Sequence, residues 1–140
     1  MWIFMLQPGI WEEVAFRGIP IPLLSRRYTK RTAIIISSIV FGIAHSFNII
    51  SPLLRGGDIS VVVFQVVYTC FLGLLMGYLF VKTNSLIPSI ILHYLIDTVG
   101  LVLTTTEITN IFLQGVYLIG FVGILPAVFG IIFIKFFSKN

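Results

Sequence analysis

Residues 59–81 read ISVVVFQVVYTCFLGLLMGYLFV, 23 positions without a charged residue. At a rise of about 1.5 Å per residue, such a run is long enough as a helix to cross the ~30 Å hydrocarbon core of a bilayer. Polar punctuation lies on either side: Arg55-Gly56-Gly57-Asp58 before it, and Lys82-Thr83-Asn84-Ser85 after it. Inside the run, Gly73 and Gly77 form a GxxxG pattern, which lets a neighbouring helix approach closely. The expected partner is another helix of the same chain; a dimer contact is the alternative.

The same reading extends in both directions. A first apolar segment, about 2–19, is interrupted by Pro8 and Gly9 and closed by Gly18, Pro20 and Pro22. The second, about 32–50, ends near Ser51-Pro52. The fourth, about 86–103, has Pro88 in its first turn, where proline is tolerated. After the polar stretch 104–110 comes a fifth, about 111–137, in which Pro126 is expected to produce a kink. Composition agrees: 58% of the 140 residues are hydrophobic and 10% charged, with a mean hydropathy of +1.08. Soluble domains carry about 25% charged residues, and a water-facing fold of this size could not hide so much apolar surface. The expected fold is a single all-α domain over 1–140: a polytopic transmembrane helical bundle of about five segments around a buried polar cavity.

The formal charge of +4 does not indicate nucleic acid, because the basic residues lie mostly between apolar runs. Arg26, Arg27, Lys30 and Arg31 follow the first segment; Arg55 is set against Asp58; Lys82 follows the third segment; Glu107 follows the fourth; Lys135 and Lys139 lie at the end. Positive and non-positive connections alternate, which places the first and third loops and the C-terminus in the cytoplasm. The N-terminal stretch has no basic n-region and no small-residue cleavage site, so it is not read as a signal peptide. The single cysteine, Cys70, reads as a small buried hydrophobe.

Against this background, Glu12, His45, His93 and Asp97 stand out. Each lies in or beside an apolar run, where a central charge costs about 2.5–3.5 kcal/mol. Such groups must pair, line a wet cavity, or both. Glu13 and Arg17 are four apart, acid before base, and share a helix face as an ion pair. Glu12 is rotated from Glu13 by about 100° on a helix, so it is left over and poised as a general base. His45 shares a face with Phe41. His93 and Asp97 are also four apart, so the carboxylate can orient the imidazole. Two histidines with carboxylates could bind a divalent metal such as zinc through Glu12, His45 and His93. They could equally activate water without one. Neither HExxH nor GxSxG is present.

Glu12-Glu13-x-x-x-Arg17, Phe41-x-x-x-His45 and His93-x-x-x-Asp97 together resemble the three motifs of the CPBP intramembrane proteases. This family, also called Abi, joins CAAX prenyl endopeptidases to bacteriocin-processing and immunity proteins. The resemblance spans residues 12–97. It implies that Glu12 acts as base on the attacking water, that His45 holds that water, and that His93 and Asp97 stabilise the oxyanion. It also implies that Glu13 and Arg17 form a supporting ion pair. Asp97 stands where the eukaryotic CAAX enzymes use Asn and where prokaryotic members carry either. An ionised Asp cannot donate to an oxyanion, so Asp97 is expected to orient His93. Eleven residues precede Glu12, where the family usually has further helices, which leaves room for upstream helices outside this core.

The expected function is therefore that of a CAAX prenyl protease-like hydrolase, a glutamate-dependent or metallo-type endopeptidase. It would cut membrane-associated peptides or proteins in a prokaryotic cell membrane. Its partners would be the lipid bilayer and a membrane-associated substrate. The alternatives are bacteriocin self-immunity or binding without proteolysis, and an ion or proton pathway; no inverted repeat supports the last.

Overall fold

The structure is a computed structural model that describes residues 2–103, 108 and 110–137. All regular structure is helical, and no strand occurs among the described residues. Five helical stretches run over 2–24, 30–55, 60–83, 87–103 and 111–137. Three of them, Lys30–Arg55, Ser60–Thr83 and Ile111–Phe136, are long and apolar enough to cross a membrane, with hydropathies of 2.0, 2.0 and 2.5. The most apolar window of the last is only 11% buried within the protein. Its Phe129, Phe133 and Phe136 are exposed side chains that water would not tolerate together. The chain is an integral, multi-pass membrane protein.

The helices are less uniform than their hydropathy. The first stretch comprises α1 (Trp2–Glu13), a π-helical turn (Val14–Gly18) and α2 (Pro20–Leu24). Pro8 lies inside α1 and does not end it. Pro20 does not close the segment but starts α2, because a proline in the first helical turn has no N–H that needs an intrahelical partner. The second stretch likewise runs past its expected end. After α3 (Lys30–Ala44) it tightens to a 3₁₀ turn over His45–Ile49 and resumes as α4 (Ile50–Arg55), with Pro52 in the first turn of α4. Gly56, at φ 69°, adopts the left-handed conformation that terminates α4. Next come α5 (Ser60–Thr83) and α6 (Ile87–Leu103), joined through Asn84, also left-handed at φ 52°. Asp58 caps the start of α5: its carboxylate accepts from the Ser60 amide at 2.8 Å and the Ser60 hydroxyl at 2.7 Å, which holds it below the usual carboxylate range. The polar connection 104–110 falls largely outside the described residues. The last stretch begins with α7 (Ile111–Gly115), capped by the Asn110 side chain, and widens to a π-helix over Val116–Ile124. It ends as α8 (Leu125–Phe137), so the irregularity expected at Pro126 is taken up in the wide turns that precede it.

The helices form two compact units. One is built from the chain up to Ser37 together with the chain from Met76 through α6. In it α1 lies antiparallel to α6: Gly9 faces His93, with 3.7 Å from an added Cβ to the His93 Cβ, while Gly18 faces Leu86. Gly77 uses its half of the GxxxG pattern within the chain, since a Cβ there would lie 3.0 Å from Ile34 Cγ2 and 3.4 Å from Ile21 Cδ1.

The other unit is built from Ser38–Leu75 and the last helix. Here large residues of α5 enter glycine notches: Phe64 at Gly115, Tyr68 at Gly123 and Leu75 at Gly130. Both series ascend, so α5 and the last helix run parallel. Gly42 marks a tighter approach. A Cβ there would overlap Cys70 Sγ and lie 2.7 Å from the Val66 carbonyl oxygen, and the latter is backbone. Gly42→Val is expected to destabilise the protein by about 1–3 kcal/mol through overpacking. Thermal unfolding in detergent checks this, and a wild-type melting curve would refute the tight approach.

Candidate active site

The first unit gathers Glu12, Glu13, Arg17, His93 and Asp97. Alpha-helical spacing sets Glu13 at the end of α1, and the π turn carries Arg17 on the same side. The widened turn ends with the Ile19 amide donating to the Val14 carbonyl at 3.1 Å, and the Phe16 carbonyl accepts from the Ser37 hydroxyl of α3. Wide turns of this kind recur at functional sites. Arg17 Nη1 donates to Glu13 Oε1 at 2.8 Å, and both side chains are fully buried. Two charges can enter an apolar interior together in this way, where either alone would not.

Packing of α1 on α6 brings His93 onto the same carboxylate. His93 Nδ1 lies 2.9 Å from Glu13 Oε1, so a single oxygen meets both the guanidinium and the imidazole. The other imidazole nitrogen, Nε2, lies 3.6 Å from Glu12 Oε2 and 3.7 Å from Asp97 Oδ2. Both separations are too long for a direct hydrogen bond and short enough for an ion-pair interaction. Glu12 and Asp97 keep about a third of their side chains exposed, at 30% and 32%, whereas His93 keeps 6%. The Glu12 Oε2 atom itself is buried and has no hydrogen-bond partner; the same holds for the Thr98 hydroxyl, next to Asp97.

Glu13 meets His93 at Nδ1, and Asp97 lies on the Nε2 side of the ring. The i,i+4 stagger on α6 brings Asp97 to the Nε2 edge of the ring, while the Nδ1 edge turns towards α1. Sequence spacing could not reveal the Glu13 contact, because Glu13 and His93 are 80 positions apart.

His45 belongs to the second unit. Its Nδ1 donates to the Phe41 carbonyl at 2.9 Å, and its ring stands edge-on to Phe41 with centroids 4.6 Å apart. That contact leaves Nε2 as its basic nitrogen. Nearby on the same helix the Asn48 amide donates to Gln65 at 3.0 Å. An open concavity of about 520 Å³ in this unit is bordered by Phe47, Asn48, Ile50 and Arg55 and contains no acid-base pair.

Among the described residues, no group of three or more His, Cys, Asp or Glu side chains has the arrangement of a metal site. Glu13 already serves a resident cation, Arg17. These side chains can exchange protons: the Glu12 carboxylate lies beside an imidazole nitrogen, next to the buried Glu13–Arg17 ion pair.

Comparison with known proteins adds a family. The model of the type II CAAX prenyl endopeptidase Rce1-like family matches residues 1–99. Neither a curated protein nor a solved structure matches the chain.

Proposed function

The chain belongs to the Rce1-like type II CAAX prenyl endopeptidase family, and from that premise we propose that it is an intramembrane endopeptidase in which Glu12 activates water. The observation that supports this most is the placement of Glu12, a partly exposed carboxylate whose Oε2 lies 3.6 Å from His93 Nε2. A water at the exposed side of that carboxylate gives one proton to Glu12 as its oxygen attacks the scissile carbonyl carbon. The carbonyl π bond opens to an oxyanion. The proton then passes from Glu12 to His93 Nε2, and the imidazolium so formed faces the oxyanion electrostatically. When the C–N bond breaks, His93 returns the proton to the leaving amine. The immediate products are a carboxylic acid and an amine, which become a carboxylate and an ammonium once the acid proton passes to the amine, and both enzyme groups regain their starting state.

Asp97, on the Nε2 side, favours the imidazolium during the reaction. His45 enters this proposal through its motif alone, as a residue acting on the attacking water. The substrate is a membrane-tethered peptide, in line with the family's name and with a chain whose reactive groups lie on apolar helices. The first and third loops and the C-terminus are cytoplasmic by the charge alternation, in a prokaryotic cell membrane.

The test is direct cleavage. Purified protein in liposomes is given a farnesylated CAAX peptide and, separately, an unprenylated peptide with a transmembrane anchor. Mass spectrometry in ¹⁸O-water should find one ¹⁸O in the new carboxylate. No cleavage of either peptide by protein of native melting temperature would reject the function.

A further inference from the structure

The geometry points to Glu13 as the positioning residue for His93, holding the imidazole with its proton on Nδ1 so that Nε2 faces Glu12 and Asp97. This assignment rests on the endopeptidase function proposed above and deepens it, since it gives Glu13 a task beyond pairing with Arg17.

Three observations carry it. First, Glu13 Oε1 lies 2.9 Å from His93 Nδ1, with both side chains removed from solvent. Second, the same oxygen accepts from Arg17 Nη1 at 2.8 Å. A guanidinium never gives up its proton in a protein, so Glu13 is stabilised as a carboxylate and can only accept from the imidazole. The Nδ1–H proton is thereby fixed, and the tautomer with it. Third, the contact is built rather than incidental. Gly9 of α1 lies against His93 on α6, and Ser37 anchors the π turn through the Phe16 carbonyl.

The consequence for the reaction is specific. With Nδ1–H committed to Glu13, the lone pair of neutral His93 sits on Nε2, facing the Glu12 oxygen that lacks a partner. His93 is then set to receive a proton from Glu12. It can donate to an oxyanion only after receiving one. Arg17 acts one step further out: by drawing on the shared oxygen it keeps Glu13 from taking the imidazole proton itself.

A merely structural Glu13 would make a different prediction. Its need for Arg17 could be removed by replacing both partners with apolar residues of similar size, Glu13→Leu with Arg17→Met. The chain has two histidines, so ¹⁵N-histidine labelling yields two imidazoles, and His45→Gln assigns them. At a pH high enough to leave His93 neutral, the wild type should show a protonated, slowly exchanging Nδ1 and an unprotonated Nε2. In the double variant that Nδ1 proton should exchange rapidly or move to Nε2. The kcat should fall about 100-fold, as for a misplaced catalytic group, with KM unchanged. An unprotonated Nδ1 in the wild type overturns the assignment, and this measurement stands even if the double variant fails to fold. So does a double variant whose His93 spectrum or kcat matches the wild type. A wild type that cleaves nothing yet shows the expected His93 spectrum refutes the endopeptidase function and leaves the positioning contact supported.

Discussion

Glu12→Gln is expected to lower kcat by about 10³ while leaving KM near its wild-type value, because removing a general base costs about 10²–10⁴ in rate. A thousandfold loss corresponds to about 4 kcal/mol of transition-state stabilisation. Glutamine keeps the volume and a hydrogen-bonding end but cannot take a proton from water. Its effect should therefore appear in the chemical step and not in substrate capture. Stability should move the other way or not at all. Glu12 Oε2 has no hydrogen bond to lose, and the side chain shares its surroundings with the carboxylates of Glu13 and Asp97. Neutralising one of three like charges relieves repulsion, so the melting temperature should hold or rise. Lost activity with undiminished stability is the mark of a group placed for chemistry at the expense of stability. Single-turnover cleavage of the tethered peptide, run alongside thermal unfolding, measures both. A variant within tenfold of the wild-type rate would remove Glu12 from the role of base.

Much of this was legible in the sequence, for a physical reason. Lipid imposes one strong rule on a helix, a long apolar run, and the uncharged stretch 59–81 satisfies it openly. Relations within one helix are equally visible, because spacing alone decides them. Glu13 and Arg17 are an i,i+4 pair, and they meet at 2.8 Å. Helix ends were harder to read. Pro20 and Pro52 read as terminators, yet each falls in the first turn of a new helical piece, where a missing N–H does no harm. Hydropathy does not record whether a helix restarts.

Relations between helices were not legible. His93 has two ring edges, and which carboxylate meets which edge depends on how α1 packs against α6. The i,i+4 rule brought Asp97 near the ring and so suggested that it orients it. Packing also brings Glu13 to Nδ1 at 2.9 Å, while Asp97 lies 3.7 Å from the other nitrogen. The four ionisable groups that first stood out were thus an incomplete set. Glu13, read as a partner to Arg17, also joins the helix that carries Glu12 to the helix that carries His93.

Arg17→Met is expected to be the most damaging substitution for stability, at about 3–5 kcal/mol, because it strands a buried carboxylate without its counter-charge. The pair lies on a single helix stretch, so it can form before the helices pack. Assembly then takes the intact pair into a site with no solvent exposure. With Met at 17, the unpacked helix can still turn Glu13 towards headgroup water, but the packed form cannot. The penalty therefore falls on the folded state alone. Adding Glu13→Leu should restore most of the loss, since a buried ion pair replaced by apolar side chains of similar size is often neutral or stabilising. The two single variants and the double form a cycle whose non-additivity measures the coupling. Thermal unfolding in detergent micelles supplies the four stabilities. If Arg17→Met melts with the wild type, the ion pair contributes nothing to holding α1 in place, and the buried guanidinium would need another explanation. If instead the double variant is stable but slow, the pair's two tasks separate: the charge balance can be replaced by apolar packing, whereas the acceptor for His93 cannot.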